Sequence, residues 1–313
     1  MPDTMHLVDP ALQPMLAMWP TVALDAEKLV EMRARSSLMP FEIDKAGTTL
    51  DIRQIPGPDG APAIQLHVYR PEGAEGPLPA IYHIHGGGYV GGSAAQLEFA
   101  HRPLCKRLQC VIVSVDYRLA PEHVFPAAIE DCYAGLRWTV ANADTLGIDV
   151  LRLGVMGESA GGGLAAALAL MARDRGEYKL AFQHLTYPMI DDRTCLGEQH
   201  PFTGEFIWTP HNNRFGWHAL LGQEPGSDGV SPYAAAARAE DLRGLPPTYI
   251  MTGTLDLFLE EDIEYARRLL RAGVPTELHV YPGGFHAFDV FPGSVVAAAA
   301  QAARVAALER ALA

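Results

Sequence analysis

The chain has 313 residues, of which 49% are apolar and 19% are charged, and its formal net charge is −13. This composition is typical of a globular protein and not of a disordered one. The excess of acidic side chains, without any run of Lys or Arg, argues against a nucleic-acid-binding surface and against a polybasic membrane anchor. The length allows one large α/β domain or two domains of ordinary size.

The N-terminal segment has the features of neither a secretory signal nor a membrane span. Its first basic side chain is Lys28, and no apolar run is long enough to cross a bilayer. His83 and His85 are two residues apart but have no obvious third partner for a metal ion. The four cysteines have no CxxC spacing and are expected to be buried or half-buried thiols: Cys105, Cys110, Cys132 and Cys195. We therefore expect a cytoplasmic protein without metal or cofactor, and with no nucleic-acid or membrane partner.

The N-terminal segment is predicted to be helical, because residues 10–35 have an amphipathic pattern. Its apolar anchors are Met15, Leu16, Met18 and Trp19. A β-hairpin follows, since residues 48–55 and 63–69 alternate between apolar and polar side chains. The turn between them is Gly-Pro-Asp-Gly at 57–60, which is typical turn chemistry.

From residue 80 onward, apolar β-rich runs alternate with longer helical patterns. Strands separated by helices form βαβ units, which predict a mostly parallel sheet. The predicted strands are 80–84, 111–115, 151–156, 182–187, 248–251 and 278–281, and the predicted helices are 94–108, 127–142, 160–173, 261–272 and 294–312. With the hairpin, this pattern predicts an α/β fold with an eight-stranded sheet flanked by helices. Arg304 and Arg310 lie in the C-terminal half of the last helix, where the dipole favours positive charge.

Residues 191–240 interrupt this alternation, since they contain no convincing strand. An insertion of this length is too long for a simple connection. We expect a helical cap that packs with the N-terminal helices over one end of the sheet. The predicted division is an N-terminal cap segment at 1–45, an α/β core at 46–190 and 241–313, and a cap insertion at 191–240, all within one catalytic unit.

The motif Gly-Glu-Ser-Ala-Gly at 157–161 follows a predicted strand and begins a predicted helix. This context exposes the serine hydroxyl at a strained turn, and small neighbours allow the turn to close. The helix N-terminus behind the turn also favours negative charge. The sequence therefore predicts Ser159 as a nucleophile.

A second motif, His-Gly-Gly-Gly at 85–88, follows the strand predicted at 80–84. Attack on an ester carbon creates an oxyanion, which needs hydrogen-bond donors that are fixed in advance. Glycines allow bare backbone N–H groups to point into one small space. Gly87 and Gly88, with the N–H of Ala160, are therefore the predicted oxyanion hole. His85 is expected to brace this loop through hydrogen bonds and not to react.

A serine nucleophile needs a base, and the base needs an acid that orients it. In this kind of sheet the acid and then the histidine follow the serine in the chain. His286 lies just beyond the last predicted strand, where catalytic groups belong, whereas His279 lies inside that strand. Asp256 follows the preceding strand, whereas Glu260 and Asp262 begin a helix whose dipole favours acidic residues. We predict His286 as the base and Asp256 as the acid.

Together these motifs resemble the hormone-sensitive-lipase-like branch of bacterial esterases, within the α/β-hydrolase superfamily. The resemblance covers roughly residues 60–312. It includes Asp-Tyr-Arg-Leu-Ala-Pro-Glu-His at 116–123, Phe-Pro-Ala-Ala at 125–128, Tyr-Pro-Met at 187–189 and Leu-Pro-Pro at 245–247. The resemblance implies an α/β-hydrolase fold with a two-part helical cap, a Ser159–Asp256–His286 triad and no cofactor. Dimers are common in the branch, so it also allows a homodimer.

The sequence departs from the usual pattern of the branch at three positions. Glu158 stands where Asp is usual, Leu257 where Pro usually follows the acid, and Ala287 where Gly commonly follows the histidine. We expect Glu158 to brace the cap side. Arg118 is expected to have a structural role and to pair with a nearby carboxylate such as Glu122.

The predicted function is hydrolysis of short- to medium-chain carboxylic esters, with a small-molecule substrate and an acyl-enzyme intermediate. Tyr89, Phe206 and Trp208 are the predicted lining of an apolar substrate pocket. Two alternatives remain. The same triad serves for other acyl substrates, such as lactones, amides or carbamates, and the fold also serves as a non-catalytic ligand receptor.

Overall fold

A single eight-stranded sheet forms the centre of the molecule in the computed structural model, which describes residues 3–36, 43–58, 60–194, 196–291 and 293–313. The strands are β1 (Thr48–Ile55), β2 (Ile64–Pro71), β3 (Leu78–Ile84), β4 (Val111–Asp116), β5 (Ile148–Glu158), β6 (Gln183–Thr186), β7 (Thr248–Gly253) and β8 (Thr276–Tyr281). Their order is β1-β2-β4-β3-β5-β6-β7-β8. The pairs β1–β2 and β2–β4 are antiparallel and the remaining pairs are parallel. The predicted eight-stranded, mostly parallel sheet is confirmed.

Helices follow the strands at nearly the predicted positions. They are α1 (Gln13–Met18), α2 (Ala26–Ser36), α3 (Glu98–Leu108), α4 (Ala127–Ala141), α5 (Ala143–Leu146), α6 (Ala160–Arg175), α7 (Pro210–Leu221), α8 (Leu259–Arg271) and α9 (Val295–Leu312). The inserted region 191–240 contains α7 and the short 3₁₀ turn Ala236–Arg238. Among these described helices, none combines the length and the apolar composition of a membrane span. The division into cap and core stays a prediction.

The N-terminal segment differs from the single helix expected over residues 10–35. α1 ends at Met18 and α2 begins at Ala26, and Pro20 between them cannot donate a helical hydrogen bond. Leu16 is buried as predicted, whereas Met18 is exposed. Three of the four cysteines are buried free thiols, and Cys195 lies outside the described residues.

The two faces of the sheet differ in chemistry. Helices α4, α6 and α8 cover one face, where their apolar side chains meet strand residues such as Tyr82 and Val113. Helices α3 and α9 cover the other face. The strand register places a row of mostly polar side chains across this second face: His67, Ser114, His83, Met156, His184 and Tyr249. His101 of α3 adds another imidazole, whose centroid lies 4.3 Å from that of His83.

Burial keeps the imidazoles of His101 and His184 uncharged. Desolvation lowers the pKa of His101 well below its ordinary value, and His83 beside it lowers that pKa further. Desolvation, with the nearby charge of Arg304, lowers the pKa of His184 to about 3. The ring of His184 stacks on Tyr249, and its Nε2 lies 3.3 Å from the carbonyl oxygen of Arg304. These histidines therefore act as uncharged packing groups at neutral pH.

Arg118 pairs with a nearby carboxylate as expected, but the partner is Asp131 and not the suggested Glu122. Arg118 forms a bidentate ion pair with Asp131 of α4, with Nε and Nη2 at 2.8 and 2.7 Å from the two carboxylate oxygens. Asp131 is fully buried, so its charge needs this partner. Glu122 pairs with Arg33 of α2, whose guanidinium also donates to the carbonyl oxygens of Val90 (2.7 Å) and Ala120 (2.8 Å). Arg33 thus connects the N-terminal segment to the loops after β3 and β4.

The buried histidines predict that stability falls on acidification. The folded-state pKa values of His101 and His184 lie below about 6.5, the ordinary value to which both return in the unfolded chain. Below that pH the unfolded state binds more protons than the folded state. The free energy of unfolding should therefore decrease by up to about 1.4 kcal/mol per pH unit for each such histidine. Urea unfolding between about pH 7 and pH 5 measures this slope.

A matched pair of variants isolates one histidine. His184→Gln keeps a donor for the carbonyl oxygen of Arg304 and removes one titrating group, so its slope should be shallower by up to about 1.4 kcal/mol per pH unit. His123→Gln replaces an exposed histidine and should leave the slope unchanged. If His184→Gln lost stability as steeply as the parent when the pH is lowered, His184 would not be one of the groups that take up a proton on unfolding.

Candidate active site

The candidate site lies where the strand order reverses. The chain passes from β3 outward to β4 on one side, and β5 then pairs with β3 on the other side. Loops that follow two such strands diverge and leave a crevice at the carboxyl end of the sheet, where ligands bind in open α/β folds. The glycine loop at 85–88 follows β3, and Ser159 follows β5. The two predicted motifs therefore meet at this crevice.

Ser159 occupies a strained turn between β5 and α6. Its φ of 55° and ψ of −124° lie outside the regions that side-chain-bearing residues favour. Backbone hydrogen bonds hold it there, because its N–H donates to Thr186 (2.9 Å) and its carbonyl oxygen accepts from Met189 (2.9 Å). A Cβ atom at Gly161 would lie 2.1 Å from the carbonyl oxygen of Ile84, so only glycine allows α6 to start this close to β3.

The structure brings the three predicted triad side chains together. The Nε2 atom of His286 lies 2.9 Å from the Oγ atom of Ser159, and its Nδ1 atom lies 2.9 and 3.1 Å from the carboxylate oxygens of Asp256. Asp256 also accepts the backbone N–H of Phe258 at 3.0 Å. All three side chains are buried. This chain of contacts has the geometry needed to pass a proton from serine to histidine and to stabilise the imidazolium that forms.

Aromatic rings hold the imidazole of His286 in place. Tyr187 packs edge-on against it with centroids 4.9 Å apart, and Phe258 does so at 5.2 Å. The phenol of Tyr187 is fixed by donation to Asp289 at 2.7 Å. The sequence alone indicated no role for the ring of Tyr187 or of Phe258. The only signal was the Tyr-Pro-Met stretch at 187–189, which resembled the esterase branch without indicating a contact.

The glycine loop passes beside Ser159, since a Cβ atom at Gly86 would lie 3.4 Å from the Cβ atom of Ser159. Within the described residues, the N–H groups of Gly87, Gly88 and Ala160 have no hydrogen-bond acceptor. Gly88 has a φ of 62°, a conformation in which glycine avoids the strain of a side chain. His85 acts as the expected brace, since its Nδ1 lies 2.9 Å from the carbonyl oxygen of Gly86. Burial lowers the pKa of His85 to about 4, so it is neutral there.

The predicted pocket residues have different surroundings. The indole of Trp208 rests on the glycine loop, because a Cβ atom at Gly88 would lie 2.1 Å from its Cη2. Its ring centroid lies 6.5 Å from that of His286. Phe206 packs against Phe285 with ring centroids 6.1 Å apart. Trp208 therefore borders the space between the glycine loop and the histidine.

Tyr89 directly follows the glycine loop. Its side chain is buried in the core, its hydroxyl donates to the carbonyl oxygen of Met189 at 2.7 Å, and its ring packs against Trp217. These contacts hold Tyr89 in place at the end of the glycine loop, and its lining role stays a prediction.

The expectation that Glu158 braces the cap side is wrong. Its carboxylate lies 2.8 Å from Nε2 of His83 and 3.4 Å from Nη2 of Arg304, on the face covered by α3 and α9. The reason is strand alternation, which places residue 158 on the same face as Met156. Burial alone would raise the pKa of Glu158, but His83 and Arg304 lower it to about 2.

Residues 191–240 and the N-terminal segment are joined through α7. Asn212 donates to the carbonyl oxygen of Val22 (2.9 Å) and accepts the N–H of Leu24 (2.8 Å), as a neighbouring strand would. The next residue, Asn213, accepts the indole N–H of Trp208 at 3.1 Å. One turn of α7 therefore connects the N-terminal segment to the indole above the glycine loop.

A separate cavity of about 720 Å³ lies near the start of α8, and Leu257, Glu261 and Arg268 are among its lining residues. None of the three triad side chains lines it. Among the described residues, no group of three or more His, Cys, Asp or Glu side chains is arranged to hold a metal ion. The crevice beside Ser159 is thus the place where the reactive groups converge.

The sequence and the fold match known esterases over almost their full length. The chain is 36% identical to Carboxylesterase NlhH of Mycobacterium tuberculosis, an alignment that covers 97% of this chain and 96% of that protein. The solved structure of a bacterial heroin esterase has a TM-score of 0.94 and 38% identity, and the match covers 99% of each chain. Esterase LipW from Mycobacterium marinum gives a TM-score of 0.88 and 32% identity, with 99% of this chain and 98% of that chain covered.

A profile for a family described as having the alpha/beta hydrolase fold matches residues 81–290, which is more than half of the chain. This match includes the glycine loop, the strained serine and the histidine loop. The predicted fold and the resemblance are both confirmed. The chain belongs to the alpha/beta hydrolase family, in its hormone-sensitive-lipase-like branch.

Proposed function

We propose that this protein is a serine carboxylesterase that acts on short- to medium-chain esters. Its full-length similarity to esterases supports ester hydrolysis. The observation that carries the mechanism is the unbroken contact from Ser159 Oγ through His286 to Asp256, at 2.9 Å on each side of the imidazole.

In the first step His286 accepts the proton of Ser159 as the serine oxygen bonds to the ester carbonyl carbon. Asp256 holds Nδ1 protonated, so that Nε2 is free to accept, and then stabilises the imidazolium. Collapse of the tetrahedral intermediate breaks the bond to the alcohol oxygen, which takes the proton from His286. Water repeats the sequence on the acyl-enzyme and releases the carboxylic acid, which restores the serine.

The N–H groups of Gly87, Gly88 and Ala160 are assigned as the donors that stabilise the oxyanion of the tetrahedral intermediate. Their lack of protein acceptors among the described residues supports this role, because donors held in place need no reorganisation as charge develops. Ala160 is also the first residue of α6, where the helix dipole favours an anion. The mechanism needs no cofactor.

Trp208 is proposed to limit the size of the substrate. Its indole occupies space directly above Gly88 and is fixed by Asn213, so a long chain cannot extend in that direction. Phe206 is proposed to add apolar surface behind it. Small acyl groups fit such a site without displacing the indole.

Hydrolysis of p-nitrophenyl esters with two to sixteen acyl carbons tests the proposed function. We expect kcat/KM to fall beyond medium chains. Ser159→Ala should lower kcat at least about a thousandfold, since the nucleophile and base act as a unit. The matched control is Ser227→Ala, in the loop after α7, which should retain parental activity. A folded parent without activity on any ester would contradict the proposal and would direct the next assays to lactones, amides and carbamates, and then to ligand binding.

Substitution of Trp208 tests the source of the size limit. Trp208→Leu opens the space above Gly88, so kcat/KM for a ten-carbon ester relative to the acetyl ester should rise about tenfold, as expected for a few additional buried methylenes. Trp138→Leu, on α4, is the matched control and should leave this ratio unchanged. An unchanged ratio in a folded Trp208→Leu variant would show that another group sets the limit.

A further inference from the structure

Buried charged groups lie on the α3/α9 face of the sheet, close to the segments that carry the serine and the histidine. Glu158 directly precedes Ser159, and Asp289 follows His286 by three residues. The guanidinium of Arg304, in α9, lies between them, with Nη2 3.4 Å from the carboxylate of Glu158 and Nη1 3.5 Å from that of Asp289. One side chain therefore joins the two reactive segments.

Other side chains hold the outer ends of this Glu158–Arg304–Asp289 bridge. His83 contacts Glu158 at 2.8 Å and Ser114 at 3.0 Å. Tyr187 donates to Asp289 at 2.7 Å, and its ring packs against His286. Gln301, one turn before Arg304 in α9, donates to Asp289 at 2.9 Å. The bridge thus extends from β3 to the imidazole of His286.

The pKa values of the bridge groups depend on one another. Burial would lower the pKa of Arg304, but Glu158 and Asp289 raise it above the ordinary value. Burial raises the pKa of Asp289, and Arg304 and Tyr187 oppose that rise. Replacement of a buried ion pair by apolar side chains is often neutral or stabilising, so stability alone does not account for an arginine at this place.

We propose that Arg304 is a positioning residue for the Ser159–His286 pair, a role that rests on the function proposed above. Its planar guanidinium holds the carboxylates of Glu158 and Asp289 at a set separation. It thereby fixes the strained turn at Ser159 relative to the loop that carries His286. Its charge also offsets the two carboxylates, which would otherwise favour protonation of the imidazole. Arg304 touches neither Ser159 nor His286, and it acts through the residues that carry them.

The groups around His286 come from several elements. Asp256 contacts it directly, and Asp262 of α8 is buried close enough to Asp256 for their charges to interact. Tyr187, Phe258 and Trp208 contribute rings without charge. Since Asp256 and Asp262 are untouched by changes on α9, a change at Arg304 reports on the bridge alone.

Arg304→Met tests the positioning role, because methionine keeps the apolar stem and removes the guanidinium. We expect kcat to fall by about tenfold to a hundredfold while KM changes less than about threefold, as a displaced nucleophile–base pair predicts. Arg310→Met is the matched control. It lies in the same helix, but its guanidinium is exposed and pairs with Glu277 at the surface, so its kinetics should equal those of the parent. Equal kinetics of Arg304→Met and Arg310→Met would overturn the proposal.

The pH dependence of kcat/KM separates positioning from a general loss of packing. On the acidic side of the profile, kcat/KM falls as the pH is lowered. Loss of the positive charge in Arg304→Met should move this acidic limb to a pH about half a unit higher, because the carboxylates of Glu158 and Asp289 then favour the imidazolium. Glu158→Gln should move it down by a similar amount. Arg304→Lys should leave the limb in place, since the charge is kept, but should restore only part of kcat. If the acidic limbs of Arg304→Met and Glu158→Gln did not move in opposite directions, the proposed electrostatic role of Arg304 would be overturned.

Covalent labelling keeps this test independent of ester turnover. A fluorophosphonate bonds to Ser159 Oγ through phosphorus as fluoride leaves and the serine proton passes to His286, and intact-mass spectrometry gives the rate. A parent that is labelled but hydrolyses no ester would contradict the proposed function and leave Arg304 testable by labelling rate. A parent that is not labelled would overturn both proposals. Should Arg304→Met fail to fold, Glu158→Gln and Asp289→Asn each break one arm, and parental labelling rates in both would overturn the positioning role.

Discussion

The parallel pairing of β3 with β5 is the constraint on which the candidate site depends. Ile84 stands opposite Gly157 at the ends of these strands, so the glycine loop and the strained serine continue from adjacent points. The first turn of α6 packs against the same strand end so closely that a Cβ atom at Gly161 would meet the carbonyl oxygen of Ile84. Backbone contacts of this kind do not yield as side chains do. The relative placement of the serine and the N–H donors is therefore a property of the sheet.

Sequence reasoning succeeded where the chemistry is local. Ser159 lies within a short motif whose strand–turn–helix context is visible in the sequence, and His286 follows from its place after the last strand. The partners of Glu158 and Arg118 could not be predicted in this way. They depend on which helices become neighbours, and α9 reaches β5 only because the last helix returns beneath the middle of the sheet. Arg304 lies near the middle of α9, and only the fold shows that its side chain points inward.

The two faces of the sheet specify its register by different means. On the face covered by α4, α6 and α8, apolar packing is tolerant of small shifts. On the face covered by α3 and α9, imidazoles, phenols and the Glu158–Arg304–Asp289 bridge require particular partners. A one-residue slip of any central strand would turn these polar groups into the apolar layer, where they would be unpaired. The polar face therefore adds specificity to a sheet whose stability comes mainly from the apolar one.

The asparagine pair at the start of α7 has a consequence for protein engineering. The side chain of Asn212 forms hydrogen bonds with the backbone of Val22 and Leu24, as a neighbouring strand would. Asn213 accepts a hydrogen bond from the indole of Trp208. Residues 191–240 and the N-terminal segment, which are far apart in the chain, thus share one anchor. A chimaera that took residues 191–240 from a relative without an amide side chain at position 212, while keeping this N-terminal segment, would leave the backbone groups of Val22 and Leu24 without these hydrogen bonds. Transfer of both segments together avoids this loss, because the backbone and its partner then come from the same protein.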